Sequence, residues 1–191
     1  MRNSLAYVAL GANLPFGERP PAANLRAALG ELGRRGLRIE AVSRFFHTPC
    51  FPPGAGPDYI NAVAALSGAG RGAGDILALL HEVEALFGRE RVQRWGQRTL
   101  DLDLIALDDL VLPDLQTWRH WRELDPERQR REAPGELVIP HPRLEERAFV
   151  LVPLADIAPR WRHPVTGRTV QEMLAALAEE DRAGVRALQT A

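Results

Sequence analysis

Apolar and polar positions alternate along this chain in two distinct rhythms. Leu5 to Leu10 is a short apolar run ending at Gly11-Ala12-Asn13, which predicts a buried strand followed by a turn. Leu25, Ala28, Leu29 and Leu32 then recur at helical spacing, between Pro20-Pro21 and the breakers Gly33 and Gly36. From Leu37 to Phe46 the period drops to two, predicting a strand with Ile39, Ala41, Ser43 and Phe45 on one face and Val42, Arg44 and Phe46 on the other. The segment TPCFPPGAGPD, Thr48 to Asp58, is too rich in Pro and Gly for regular structure. Tyr59 to Leu66 reads as the next strand. Ile76, Leu79, Leu80, Val83, Leu86 and Phe87 predict a second helix, capped by Gly74-Asp75 and closed by Gly88, with His81 and Glu84 neighbours on a different face. Thr99 to Leu107 is a further strand. The order βαββαβ predicts an α+β fold: a ferredoxin-like core of helices packed on an antiparallel sheet.

Beyond Asp108 the pattern dissolves into charge, as in WRHWRELDPERQRREAPGE, with Trp118 and Trp121 the main apolar residues. A charged surface insertion near 113–136 is expected, with its arginines on a solvated face. Regularity returns at LVIPHP, followed by a helical run from Phe149 to Leu154, a stop at Ala158-Pro159, and a last amphipathic helix marked by Val170, Met173, Leu174 and Leu177. No repeat interrupts this course, so residues 1–191 are expected to form a single domain with C-terminal helices.

Charge and composition narrow the functional classes. The 191 residues carry a formal net charge of -1, which argues against generalised attraction to nucleic acid or a membrane surface. All 24 basic residues are arginine, so arginine number alone carries no argument and each must be argued by position. The single cysteine, Cys50, excludes an intramolecular disulfide and suits a reducing cytoplasm. No apolar run reaches the roughly 20 residues of a membrane helix.

The chemistry concentrates in RWGQRTLDLDLI. In a strand, Asp101 and Asp103 project to one face, roughly 6 to 7 Å apart, while Leu100, Leu102 and Leu104 pack the other. Such a pair suits a magnesium nucleotide, because magnesium takes a few carboxylates plus water and phosphates. The pair alone is equally compatible with acids standing in water. Arg89, Arg91, Arg94 and Arg98 precede it, and guanidinium forks match phosphate oxygens. Tyr59 and Asn61 share a strand face, where an aromatic surface beside an amide can hold a flat heterocycle, although tyrosine in a strand is more often core. His141, in a Pro-flanked turn, is open to either a turn or a nucleotide role.

Taken in order, YVALGANL, SRFFHTPCFPPGAGPDYINAV, LLHEVEALFGRERVQRWGQRTLDLDLI and LVIPHPRLEERAFVLVPLADIAP resemble the 6-hydroxymethyl-7,8-dihydropterin pyrophosphokinases of folate synthesis. The resemblance implies transfer of diphosphate from ATP to the pterin hydroxymethyl group, with release of AMP. It implies two Mg2+ ions on Asp101 and Asp103, with Arg89 and Arg98 as catalytic phosphate contacts. It implies a pterin pocket of Gly11, Ala12, Thr48, Pro49, Phe51, Tyr59, Asn61 and Phe149, with Tyr59 and Phe149 sandwiching the ring. The nucleotide would meet His81, Glu84, Trp95, Arg98, Ile139, His141 and Arg147. A monomer or weak dimer acting on small molecules in the cytoplasm is expected, with no nucleic acid and no membrane as partner. Three departures stand out: His81 where many relatives carry glutamine, Gln97 in place of a proline, and the long excursion from Asp108 to Glu136. That excursion is expected as a surface appendage beside the ATP side and a candidate dimer contact. The rival readings are a nucleotidyltransferase using the same acids and a nucleotide-binding module without turnover.

Overall fold

Three long strands explain the continuous apolar runs, because each is covered on both faces and has no solvent side to alternate with. The computed structural model describes residues 4–50, 54, 56–68, 70–88 and 98–189. At its centre β1 (Leu5–Ala12) pairs antiparallel with β4 (Tyr59–Ser67) on one side and β5 (Asp101–Leu107) on the other. Beyond β4 lie β2 (Arg38–Val42) and β3 (Phe46–Thr48), each paired with a different half of it, and β6 (Arg186–Ala187) pairs with β3. The order β5-β1-β4 followed by β2 and β3 is the antiparallel arrangement expected of a βαββαβ chain.

One face of this sheet carries α1 (Pro21–Arg34) and α2 (Ala73–Leu86). Val8, Leu10, Leu66, Leu102 and Leu104 meet Leu25, Leu32, Ile76, Leu80 and Val83 there. Each such side chain contributes about 1.5–3 kcal/mol by leaving water. The other face carries α5 (Ala148–Ile157) and α6 (Val170–Ala176), whose Val150, Leu151, Leu154, Val170 and Met173 pack on Tyr7, Val63, Ala65 and Ile105. Two cores sharing one sheet make the chain a single domain.

Several local expectations need correction. The alternation from Leu37 to Phe46 is two strands rather than one. Val42 stands opposite Ala64 and Phe46 opposite Asn61, four residues against three, so one extra residue bulges the chain. Ser43 holds that bulge: its N–H donates to Val63 O at 2.9 Å and its Oγ accepts the Val63 N–H at 3.0 Å. On α2 the cap is Gly72; Asp75 lies inside the first turn and accepts the Gly72 N–H at 3.1 Å. Glu84 belongs to the buried face of α2, not to a separate polar one. After α6 the chain adds α7 (Glu179–Ala183) and β6, too short to leave a periodic signal.

The charged excursion folds into α3 (Leu115–Glu123) and α4 (Pro126–Arg131). Paired hydrogen bonds between Leu112 and Ile139 close its base. Most of its charges are in water, as expected, but Trp118 is 3% exposed and anchors α3 to the body.

Candidate active site

On the face covered by α5, the side chains of β1, β4 and β5 change character toward one end. Tyr7, Val63, Ala65 and Ile105 are core, whereas Gly11, Asn61, Asp101 and Asp103, further along the same face, are polar or lack a side chain. The register sets Gly11 between Asn61 on β4 and Asp101 on β5. With neighbouring strands about 4.8 Å apart, the amide and the carboxylate stand at the edges of a trough about 10 Å wide whose floor is the Gly11 backbone. A Cβ at Gly11 would meet Asn61 Oδ1 at 2.9 Å, while Asp101 Cβ and Tyr59 Cδ1 would lie at 3.9 and 4.0 Å. Glycine is therefore what keeps this floor open.

Asn61 is held from below. Its Nδ2 donates to Thr48 Oγ1, with Thr48 and Tyr59 paired across β3 and β4. That bond orients the amide with Oδ1 over Gly11, toward the trough. Burial raises the Tyr59 phenol above its ordinary range, with the Arg98 charge opposing and Cys50 and Asp101 adding to it, so the group stays a donor at neutral pH. Tyr59, Asn61, Thr48, Gly11 and the acids expected from the sequence thus share one end of one sheet face.

Each acid has a cationic neighbour. Arg98 reaches Asp101 Oδ1 at 2.5 Å, and Arg147, at the N-cap of α5, stands 3.7 Å from Asp103 Oδ2. Burial works against the Arg98 charge, but Asp101, Asp103 and the Tyr59 oxygen outweigh it and hold the guanidinium above its ordinary range. Burial instead draws Arg147 down, opposed by Asp103 and aided by Arg143. The Arg147 guanidinium also lies 5.7 Å from the centre of the Phe149 ring, which is 41% exposed beside it. His141 completes this side. Burial, then the charges of Arg147 and Arg143, push its pKa well below the usual value, so the ring is neutral. Its Nδ1 accepts the Arg143 N–H at 3.1 Å, which leaves the proton on Nε2 as a donor.

Other expected residues are not in this cluster. Glu84 is 1% exposed in the opposite core, where its Oε1 accepts the Leu102 N–H at 2.7 Å; it fixes the backbone between the two aspartates from behind. His81 lies one turn earlier on the same helix. Ala12 and Ile139 turn their side chains into the core under α1 and α2, leaving only backbone to the site side. Pro49 is exposed at the loop edge. Phe51, Arg89, Arg91, Arg94, Trp95 and Gln97 lie outside the described residues.

Asn13 has no counterpart among the sequence expectations, yet it ties two halves of the site. Its Oδ1 accepts the Arg98 N–H at 2.7 Å, its N–H donates to Arg98 O at 2.9 Å, and its Nδ2 donates to Pro57 O at 3.1 Å in the Pro-rich loop. The signal was present as a polar residue, 4% exposed in the fold, directly after a buried strand.

The chain matches the family described as 7,8-dihydro-6-hydroxymethylpterin-pyrophosphokinase (HPPK) over residues 7–159. Similar proteins include the 2-amino-4-hydroxy-6-hydroxymethyldihydropteridine pyrophosphokinases of Synechocystis, 37% identical over 88% of this chain and 74% of that one, and of Pseudomonas aeruginosa, 37% identical over 89% and 90%. The Bacillus subtilis protein of the same name is 30% identical over 96% and 90%. Among solved structures, the fold is similar to wild-type Plasmodium falciparum HPPK-DHPS with pterin and p-hydroxybenzoate, at a TM-score of 0.63 and 14% identity over 90% of this chain. The present chain spans 42% of that one.

Proposed function

The chain belongs to the 7,8-dihydro-6-hydroxymethylpterin pyrophosphokinase family, and on that premise we propose that the trough over Gly11 and the acid pair beside it are its reaction centre. The activity is transfer of a diphosphate group from ATP to the hydroxymethyl group of 6-hydroxymethyl-7,8-dihydropterin, a step of folate biosynthesis. One observation carries the assignment of the site. An amide, an open glycine floor and two carboxylates lie in register on three adjacent strands, with a guanidinium beside each carboxylate.

The pterin is read as lying over Gly11 with its edge on Asn61. Because Nδ2 is engaged by Thr48, Oδ1 is left to accept a ring N–H, and the phenol of Tyr59 and the exposed ring of Phe149 offer aromatic surface. The hydroxymethyl group would then point toward Asp101. Its oxygen bonds to the β-phosphorus as the bond from that phosphorus to the α,β-bridging oxygen breaks, AMP leaves, and the hydroxyl proton is released. Arg98, Arg147 and the Nε2–H of His141 are the charges and donors that receive phosphate oxygens.

Asp101 and Asp103 fit Mg2+. Among the described residues no group of three or more His, Cys, Asp or Glu side chains forms a closed cage, and the two aspartates, half-buried at the trough, suit an ion that takes its remaining ligands from water and phosphate. When bound with ATP, magnesium would withdraw charge from the phosphates. Two such ions are proposed. A monomer or weak dimer is proposed for the chain. The lone buried Cys50 supports a cytoplasmic location, and among the described residues no helix is long and apolar enough to cross a membrane.

The test is incubation with ATP, Mg2+ and hydroxymethyl-dihydropterin, followed by product analysis. AMP and pterin diphosphate are expected. Inorganic pyrophosphate with an adenylylated pterin would mean nucleotidyl transfer, and tight ATP binding with no AMP would mean a binding module.

A further inference from the structure

The segment from Pro140 to Arg147 holds two of the proposed nucleotide contacts and is gripped from two sides. On the sheet side, the His141 N–H donates to Ile105 O at 2.8 Å. On the other, Trp118 Nε1–H donates to Pro140 O at 2.7 Å, within the core. The Pro140 carbonyl and the His141 N–H are the two ends of one rigid peptide plane. That plane is thus pinned at both ends, which fixes the direction in which the His141 ring leaves the backbone.

One turn further along α3, Arg122 reaches Glu146 Oε1 and, at 3.4 Å, Glu145 Oε2. These acids form the turn of 3-10 helix that runs directly into Arg147. Positions four apart on a helix share a face, so Trp118 and Arg122 are presented together. Trp118 is held in turn against the ring of His163 at 5.2 Å, and His163 against Trp161 at 5.9 Å. An appendage that only decorates the surface needs no buried tryptophan bonded to a site peptide.

We infer that α3 of the insertion is a positioning element for the nucleotide half of the site, with Trp118 setting His141 and Arg122 setting Arg147. This rests on the reading of His141 and Arg147 as nucleotide contacts. The pterin half, built on β1, β3 and β4, receives no hydrogen bond or ion pair from α3 among the described residues.

The experiment uses the full-length protein with Trp118→Phe, which keeps a ring and removes the N–H, with Arg122→Gln, and with Arg122→Lys. Dissociation constants of a non-hydrolysable ATP analogue with Mg2+ and of the pterin are measured by calorimetry, with KM for both substrates. Trp118→Phe and Arg122→Gln are expected to weaken the nucleotide five- to tenfold and the pterin less than twofold, with Arg122→Lys recovering part of the loss. Folded variants that leave nucleotide affinity within twofold, or that weaken both substrates equally, overturn the inference. If Trp118→Phe does not fold, the two Arg122 variants decide it. His141→Ala and Arg147→Ala serve as controls: if neither weakens the nucleotide, the site reading itself fails, and if they do while the α3 variants do not, only the positioning role fails.

Discussion

Substituting Gly11 by alanine isolates the floor of the trough from everything else in the site. The new methyl would stand 2.9 Å from Asn61 Oδ1, about half an ångström inside ordinary contact, while 3.9 Å to Asp101 Cβ is unstrained. Asn61 cannot retreat freely, because it is 7% exposed and its amide is bonded to Thr48. Overpacking of a fixed site costs about 1–3 kcal/mol, and here the cost falls on the amide and on the space for the ring. Alanine in a strand interior regains about 0.5–1 kcal/mol over glycine, so global stability should change little. Pterin affinity is therefore expected to fall about tenfold to hundredfold, since each 1.4 kcal/mol is a factor of ten. The Mg-ATP affinity should stay within about twofold of the parent by the same conversion. Calorimetric titration of each ligand, with thermal unfolding as a fold control, reads both quantities. Unchanged pterin binding in a folded variant, or equal losses for both ligands, would refute the assignment of Gly11 as pocket floor.

Asp101→Asn and Asp103→Asn should each abolish turnover in a steady-state assay while retaining the fold by circular dichroism, and a variant with near-normal rate would end the metal-pair reading. Arg98→Gln should lower kcat by about a hundredfold or more, as for other lost transition-state charge contacts, with a smaller effect on pterin affinity; equal effects on both would make Arg98 structural. His163 is 1% exposed, and burial, with Glu145 opposing and Arg122 adding, lowers its pKa from 6.5 to about 4. The unfolded chain therefore takes up a proton that the folded one refuses, so stability is full above about pH 6.5 and declines down to about pH 4, by about 3 kcal/mol in total. Urea unfolding at pH 7 and pH 4.5 should show His163→Phe losing less stability than the parent, and parallel losses would exclude this histidine as the cause.

The long strands and the helices α1 and α2 on one face of the sheet were legible because burial on one stripe or on two faces forces a periodic sequence. Where a hydrogen bond replaced a ladder rung, as Ser43 does against Val63, periodicity continued through a break it could not register. The short β6 and α7 bury little and leave no pattern. In the site, the period of two brought Asp101 and Asp103 together correctly, and likewise Tyr59 with Asn61. The partnership between strands was not readable, because nothing in LGAN says that Gly11 lies between an amide and an acid. Glu84 shows the reverse failure: at helical spacing from His81 it reads as part of a face apart from the apolar one, yet it is buried and its Oε1 accepts the Leu102 N–H. Trp118 failed in the same manner, since a tryptophan among arginines carries no sign of the carbonyl waiting for its N–H.

The sequence posed a choice between acids standing in water and acids holding a cation, and the fold adds a third term, the guanidinium beside each acid. A half-buried carboxylate without a partner is costly, and Arg98 and Arg147 relieve that cost in the free protein. If the site is the proposed one, the same pairs would make substrate binding an exchange. On the proposed reading, phosphate oxygens would take the guanidiniums, and the carboxylates would then be available to hold divalent ions, so each charge would keep a partner of opposite sign. Such an exchange requires both members of each pair at the site, which is why Asn at either aspartate should spare the fold and remove the chemistry. It also separates the roles of the two arginines. Arg98 is tied through Asn13 to the Pro57 carbonyl, on the side proposed for the pterin, whereas Arg147 lies with His141 on the strip held by α3. Loss of Arg98 should therefore be felt in the bond-making step, and loss of Arg147 in the hold on the nucleotide.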